Sequence, residues 1–340
     1  MSKVNKLAII SNAQVSGEKG GAEIFYECLS EHFKRCVPVV EHIEVPCSEA
    51  TFDDILQGYV TCYDLDLSGY DAVVSTKAPT FAVQHKNHIC YLIHTIRVFY
   101  DMYDEIKDGT GNDDKRDLIH KIDTEALDPD RLKKLFTIGN EVSRRLMSYN
   151  GLSSTVLHPG IQSGEFYCRS FDHIFMPGRL HRWKRVDLAI RAMKYVKSPV
   201  KLKIAGSGED LPLFKKMAGN DKRIEFLGYV PDELLKEYYA NSLCVLFTPV
   251  REDYGMILHE AFKSRKPVIT CTDSGEPATF IKNGENGYAV NPDPKEIAGR
   301  IDHLYKHKDE AAVMGNNGYE TTSHISWENV VKTLLEALEE

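Results

Sequence analysis

The chain has no run of about 18 consecutive apolar residues, the length needed to cross a bilayer. Its opening Met1-Ser2-Lys3-Val4-Asn5-Lys6 also lacks the apolar core of a secretory signal. A cytoplasmic location is expected, with at most peripheral contact at the inner face of a membrane. The eight cysteines (28, 36, 47, 62, 90, 168, 244 and 271) include no Cys-x-x-Cys pair, and Cys90 and Cys244 lie in apolar runs, so buried reduced thiols are expected rather than disulfides or a zinc site. Basic charge is not in excess. The formal net charge is −8, and all of the acidic surplus falls in residues 1–165, with 17 Lys and Arg against 25 Asp and Glu; residues 166–340 carry 25 of each. This balance argues against a nucleic-acid partner and gives no support to tight docking on anionic lipid. The local basic residues Lys133, Lys134, Arg144 and Arg145 read as a solvated helix face.

At 340 residues, 42% hydrophobic and 27% charged, the chain has room for two ordinary globular domains. Buried strands are expected at 6–11, 70–76, 88–94, 135–139 and 155–159, with a helix over 22–35 after the first. The acidic segment 101–117 reads as a loop. Alternation resumes with strands at 173–177, 201–205, 224–227, 243–247, 267–271 and 287–290, and a last helix over 327–339. The doubled βα rhythm predicts an α/β protein with two doubly wound sheets, a cleft between them, and ligands at the carboxyl ends of the strands.

The stretch from Thr248 to Glu260 is the most informative. Glu252 and Glu260 lie eight residues apart and bracket Gly255, where an apolar strand gives way to a helix. Glu252 can accept hydrogen bonds from sugar hydroxyls, and Glu260, about a turn into the helix, can hold a ribose diol. The amides of Tyr254, Gly255, Met256 and Ile257, with Asp253 before them, form a helix start suited to phosphate. An acidic loop before an ordinary amphipathic helix has the same pattern. Upstream, the strand beginning at His173 runs into Gly178 and then presents Arg179 and Lys184. Fixed cations there suit a departing diphosphate, whose negative charge grows as a glycosidic bond breaks; Arg182, Lys184 and Arg185 also fit the solvated start of a helix. Gly20-Gly21 opens a helix after the first strand and lets the backbone approach a phosphate or sugar. The loop before it, 14–19, lacks Gly-x-Gly-x-x-Gly spacing, which leaves a dinucleotide dehydrogenase poorly supported. Gly206-Ser207-Gly208 and Phe226–Val230 are turns at strand ends, where Tyr229 and Val230 could present backbone groups to a base edge. Glu209, Asp210 and Glu276 are candidate caps. Neither Asp64-Leu65-Asp66 nor Asp128-Pro129-Asp130 closes a convincing strand. With Arg179, Lys184 and a helix terminus available for phosphate, no metal is expected.

In order along the chain, Gly178-Arg179-Leu180 with Lys184, Ala205-Gly206-Ser207-Gly208-Glu209, Phe226-Leu227-Gly228-Tyr229-Val230, Glu252 with Glu260, and Ser274-Gly275-Glu276 with Asn286-Gly287-Tyr288 resemble the retaining GT-B glycosyltransferases of glycosyltransferase family 4. The resemblance is strong over 173–292 and looser before it, where Gly20-Gly21-Ala22-Glu23 and His94 carry it. It implies two Rossmann-like domains, 1–165 for the acceptor and 166–325 for the donor, with 326–340 crossing back to the first. It further implies a hexosyltransferase with no cofactor beyond its nucleoside diphosphate sugar, a UDP-hexose before a GDP-sugar, and a saccharide or lipid-linked saccharide acceptor. Gly20 and Gly21 would face the donor diphosphate and the acceptor, His94 would approach the transferred sugar, and Arg97, Tyr100 and Asp101 would line the acceptor side. A nucleotide-sugar epimerase, a phosphorolytic transferase of the same architecture, or a non-catalytic nucleotide-sugar binding subunit are the alternatives.

Overall fold

A computed structural model describes residues 4–13, 20–106, 113–161 and 164–340. The chain divides into two compact units, Met1–Gln162 with Ile325–Glu340, and Ser163–His324. The first unit contains β1 (Lys6–Asn12), α1 (Gly21–Phe33), β2 (Val39–Val45), α2 (Phe52–Tyr63), β3 (Ala72–Lys77) and β4 (His88–His94). It continues with α3 (Tyr103–Ile106), α4 (Asp113–Ala126), β5 (Lys134–Thr137), α5 (Asn140–Asn150) and β6 (Thr155–Val156). The second unit opens with β7 (His173–Pro177), α6 (Val186–Met193), β8 (Lys201–Ala205), α7 (Leu211–Ala218), β9 (Ile224–Gly228), α8 (Asp232–Ala240) and β10 (Ser242–Leu246). It closes with α9 (Met256–Lys263), β11 (Val268–Cys271), α10 (Glu276–Thr279), β12 (Gly287–Val290), α11 (Pro294–Lys306) and α12 (Lys308–Thr322), after which α13 (Trp327–Glu339) belongs to the first unit.

Each unit holds a parallel six-stranded sheet. The orders are β2-β1-β3-β4-β5-β6 and β12-β11-β10-β7-β8-β9. In the second sheet the chain starts at β7, builds outward through β8 and β9, then returns to β10 on the other side of β7 and builds outward through β11 and β12. That is the Rossmann order, with its reversal point between β7 and β10. The first sheet places only β2 beyond β1, which is the flavodoxin-like order, with its reversal between β1 and β3. The two units thus share a rhythm and differ in connectivity.

Alternation along the central strands explains the layers. Ile174, Met176, Leu202, Ile204, Cys244, Leu246, Ile269 and Cys271 face a core completed by α6, α7, α11 and α12. Phe175, Val245 and Val268 face the opposite core, where Tyr239 of α8 and Leu258, Ala261 and Phe262 of α9 close over them. Strands buried on both faces read as continuous apolar runs, so they are visible in sequence. The edge strand β2, Val-Val-Glu-His-Ile-Glu-Val, is largely accessible along its length and gives no such run. All eight cysteines are free thiols, with Cys36 and Cys168 exposed.

Two expectations are corrected here. The acidic segment 101–117 is not a loop throughout: it includes α3, and Asp113 opens the 14-residue α4. Asp113 and Asp114 lie in the first turn of that helix, where the macrodipole favours carboxylates. Arg145 is not on a solvated face either. Its side chain is 1% exposed, and its Nε lies 2.8 Å from Asp101 Oδ1. Lys133 is also engaged, its Nζ donating to the Leu338 carbonyl of α13 at 3.0 Å. Helix α13 starts on Ser326, whose hydroxyl accepts from Asn329 N, and it seats Trp327 against Phe25 of α1 at 5.3 Å between ring centroids.

The interior of the first unit also contains Asp123, fully buried on α4, which accepts hydrogen bonds from the Tyr59 hydroxyl of α2 and from the Tyr100 hydroxyl at 2.6 Å. Burial pushes this carboxyl up to about 7, with the two hydroxyls opposing the shift. A carboxyl raised above its unfolded value contributes stability that is fully present below the unfolded pKa of about 4 and is lost as pH rises through the folded one. Urea unfolding of the wild type is therefore expected to show a component of stability that declines between about pH 4 and 7. Asp123→Asn should flatten that component, and an unchanged pH profile in the variant would remove Asp123 as its source.

Candidate functional site

The carboxyl ends of β7 and β10 lie side by side at the reversal point of the second sheet. There the Lys184 ammonium donates to Glu252 Oε2 at 2.6 Å, joining the segment after β7 to the segment after β10. Both side chains are partly buried, and Lys184 Nζ lies 5.8 Å from the centroid of the Phe247 ring. Glu252 is fixed by its backbone. Its N–H donates to the Ser274 carbonyl at 2.9 Å, its carbonyl accepts from Glu276 N at 2.9 Å, and Arg251 N donates to the Asp273 carbonyl at 3.0 Å. Residues 251–252 therefore run as a short parallel ladder along 273–276. The ladder requires Gly275, at φ 77°, because a Cβ there would fall 2.6 Å from both the N and O of Glu252.

Helix α9 opens at Met256 behind Gly255, which caps it at φ 83° without a side-chain hydrogen bond. A Cβ on Gly255 would meet Pro277 Cγ at 2.6 Å and Phe247 Cε1 at 2.7 Å. Met256 and Ile257 are the opening residues of the helix, while Leu258 N donates to the Gly255 carbonyl at 3.0 Å. Tyr254 lies before the cap, so it is not a member of the helix start as expected. Its ring is buried and stacks on His259 at 4.5 Å. Asp253 sits half-buried between Glu252 and Tyr254. One turn into α9, Glu260 Oε2 accepts from the Tyr239 hydroxyl at 2.6 Å. Burial raises the Glu260 carboxyl above its ordinary value, and the tyrosine bond works against that shift.

Arg179 follows Gly178 at the end of β7. Its side chain is 70% exposed and is 3.3 Å from Glu209. The glycines of 206–208 have a structural cause. A Cβ at Gly206, where φ is 131°, would lie 2.0 Å from the Gly178 carbonyl oxygen, and one at Gly208 would lie 2.2 Å from that of Leu180. Leu180 N donates to the Ser207 carbonyl at 2.8 Å, so the segments after β7 and β8 interlock backbone to backbone. Beyond β9, Tyr229 is 80% exposed and Val230 turns into the core.

In the first unit, His94 ends β4 and is partly buried. Gly20 caps α1, but its N–H donates to Glu23 Oε2 at 2.8 Å, so a carboxylate already holds the donor expected for a phosphate; Gly21 follows as the first helical residue. The preceding loop, 14–19, lies outside the described residues. Tyr100 is interior, bound to Asp123, and does not line an acceptor surface. Asp101 is taken up by Arg97, at 3.1 Å from Nε, and by Arg145. The two Asp-x-Asp pairs are turns: Asp66 accepts from Ser68 N at 3.0 Å, and Asp128 from Asp130 N at 2.8 Å.

The sequence does not point to the roles of Arg185, Asp273 and Tyr239. Arg185 follows Arg182 and Lys184 in sequence and looks like a solvated helix start, yet it adopts φ 52° and its guanidinium donates to Thr248 O, Pro249 O and Asp273. The turn residues Thr272-Asp273-Ser274-Gly275 were the only trace of its partner.

Residues 171–321 match the family model of glycosyl transferases group 1. Among curated proteins, an uncharacterized glycosyltransferase of Methanocaldococcus jannaschii is 30% identical over 166 residues, 47% of this chain and 42% of that one. The chain spans about half the length, or less, of the first curated relatives it matches. Among solved structures, sucrose-phosphate synthase from Thermosynechococcus elongatus has a TM-score of 0.78 at 17% identity, with 98% of each chain covered. Anabaena HepE in complex with UDP has a TM-score of 0.74 at 14% identity, covering 98% of this chain and 99% of that one. The match to the glycosyl transferases group 1 model thus spans nearly all of the second unit, and the chain has the GT-B fold of these solved structures.

Gly275→Ala is expected to cost the second unit about 1–3 kcal/mol through its forbidden backbone angle, beyond the clash with Glu252. Thermal unfolding should report a lower melting temperature. An unshifted one would mean the 251–252 ladder is not fixed as described.

Proposed function

We propose that this chain is a retaining, metal-independent hexosyltransferase of family 4, moving a sugar from a nucleoside diphosphate donor to a hydroxyl of a saccharide or lipid-linked saccharide. UDP-hexose is the favoured donor over a GDP-sugar, a choice supported by the UDP complex of a protein with the same fold. The observation that carries the reading is the Lys184–Glu252 pair at the strand-order reversal, with α9 opening four residues after Glu252 and Glu260 about one turn into that helix. Anions favour such a helix start, and open α/β sheets bind ligands at the reversal point.

In this reading Glu260 accepts from the ribose diol, the α9 amides and Lys184 meet the diphosphate, and Arg179 swings from Glu209 to join them. Glu252 hydrogen-bonds the sugar hydroxyls. The bond from the anomeric carbon to the diphosphate oxygen breaks first through an oxocarbenium-like state. The acceptor oxygen then bonds that carbon on the same face, and its proton passes to the departing phosphate oxygen. Lys184 acts by stabilising charge that grows only as the bond breaks, which lowers the barrier rather than merely tightening binding. His94, Gly20 and Gly21 would belong to the acceptor side and the sugar.

Slow hydrolysis of UDP-hexoses, followed by transfer to candidate acceptors, tests the assignment. Lys184→Ala should lower turnover by about 10²–10³. Arg179→Ala should also lower it, and full turnover in that variant would remove Arg179 from the mechanism. A requirement for inorganic phosphate would indicate a phosphorolytic transferase, a changed donor sugar without acceptor an epimerase, and UDP binding without hydrolysis or transfer a binding subunit.

A further inference from the structure

We infer that Arg185 is a positioning residue that sets the placement of Lys184 against Glu252, acting through the carbonyls of Thr248 and Pro249 and the carboxylate of Asp273. The inference rests on the reading that this pair meets a nucleoside diphosphate sugar.

Arg185 holds φ 52°, a left-handed conformation that L side chains other than Asn and Asp rarely adopt. Glycine would hold that backbone without steric cost, so what the position gains from arginine is the guanidinium. That group is largely buried and makes four bonds. Nε donates to Thr248 O at 2.7 Å, one terminal nitrogen donates to Pro249 O at 2.7 Å and to Asp273 Oδ1 at 2.6 Å, and the other donates to Asp273 Oδ2 at 2.8 Å. The planar fork suits the bidentate carboxylate, and lysine could not reproduce it.

Three segments are tied together by this one side chain: those that follow β7, β10 and β11. The backbone adds a bond from Val250 N to the Trp183 carbonyl at 2.9 Å. Arg185 directly follows Lys184, and its carbonyl acceptors lie three and four residues before Glu252. Arg251, the residue before Glu252, is also left-handed, at φ 45°. The pair is thus flanked on both chains by backbone held in a sparsely populated conformation, of the kind that persists where surrounding contacts over-determine it. Neither Arg185 nor Asp273 needs to touch substrate. Their effect is to keep the ammonium of Lys184 where the diphosphate charge develops, and displacement of about 1 Å at such a group costs on the order of 10²-fold in rate.

The test compares wild type, Arg185→Gly, Asp273→Asn and the double variant by UDP-glucose hydrolysis, UDP calorimetry and thermal unfolding. Glycine suits the left-handed backbone, so the first variant removes the clamp without adding strain. For Arg185→Gly, kcat should fall by about 10- to 100-fold while KM and UDP affinity stay within about threefold. Asp273→Asn should lose a similar factor, and the double variant no more than the larger single loss, because the two act as one unit. Wild-type kcat in Arg185→Gly, or a kcat loss matched by equal losses of UDP affinity and folded protein, would overturn the positioning role while leaving the functional reading intact. Wild-type protein that neither binds UDP nor turns over would overturn the functional reading, and the role of Arg185 with it.

Discussion

The second unit is organised by the adjacency of β7 and β10. Because the chain builds outward from this pair in opposite directions, their following segments leave toward opposite faces of the sheet, and the edge between them is left for loops rather than helices. Those loops cannot be arbitrary. Glycines at 206, 208 and 275 let backbone approach backbone, since an added Cβ there would strike main-chain atoms, while at 178 and 255 it would meet the side chains of Ile257, Pro277 and Phe247. The Lys184–Glu252 pair sits on this framework, so the charge arrangement follows from strand order and from where side chains are missing.

Much of this was legible in the sequence. Strands β7, β8 and β12 fall at the expected limits: β7 is buried along its whole length, and β8, although Lys201 and Lys203 stay accessible, keeps Leu202, Ile204 and Ala205 buried. The last helix was equally plain from its period and its Ser326 cap. Strand β2 was not, since an edge strand with Glu41, His42 and Glu44 carries no run. Helix α4 escaped because its first turn is acidic, and acidity was read as loop rather than as compensation of the helix dipole.

For the site, the residue types at the ends of β7 and β10 announced themselves through the glycine that follows or precedes them. Contacts between distant segments left no such mark. Arg185 looks like one more cation before a helix; its left-handed backbone and its grip on Asp273, 88 positions away, emerge only in three dimensions. Tyr100 likewise sits in a stretch that suggested an acceptor surface, yet its hydroxyl is committed to the buried Asp123. Gly20 kept its helix but not its open amide, because Glu23 reaches back to it. The second unit carries the family match, and the first supplies a related fold with a different strand order.

A structure of the protein bound to UDP bears most directly on the central claim. The account predicts the diphosphate within hydrogen-bonding reach of Lys184 Nζ and of the amides of Met256 and Ile257, with the ribose hydroxyls on Glu260. A nucleotide bound elsewhere, or one that leaves Lys184 paired to Glu252 and untouched by phosphate, would contradict it.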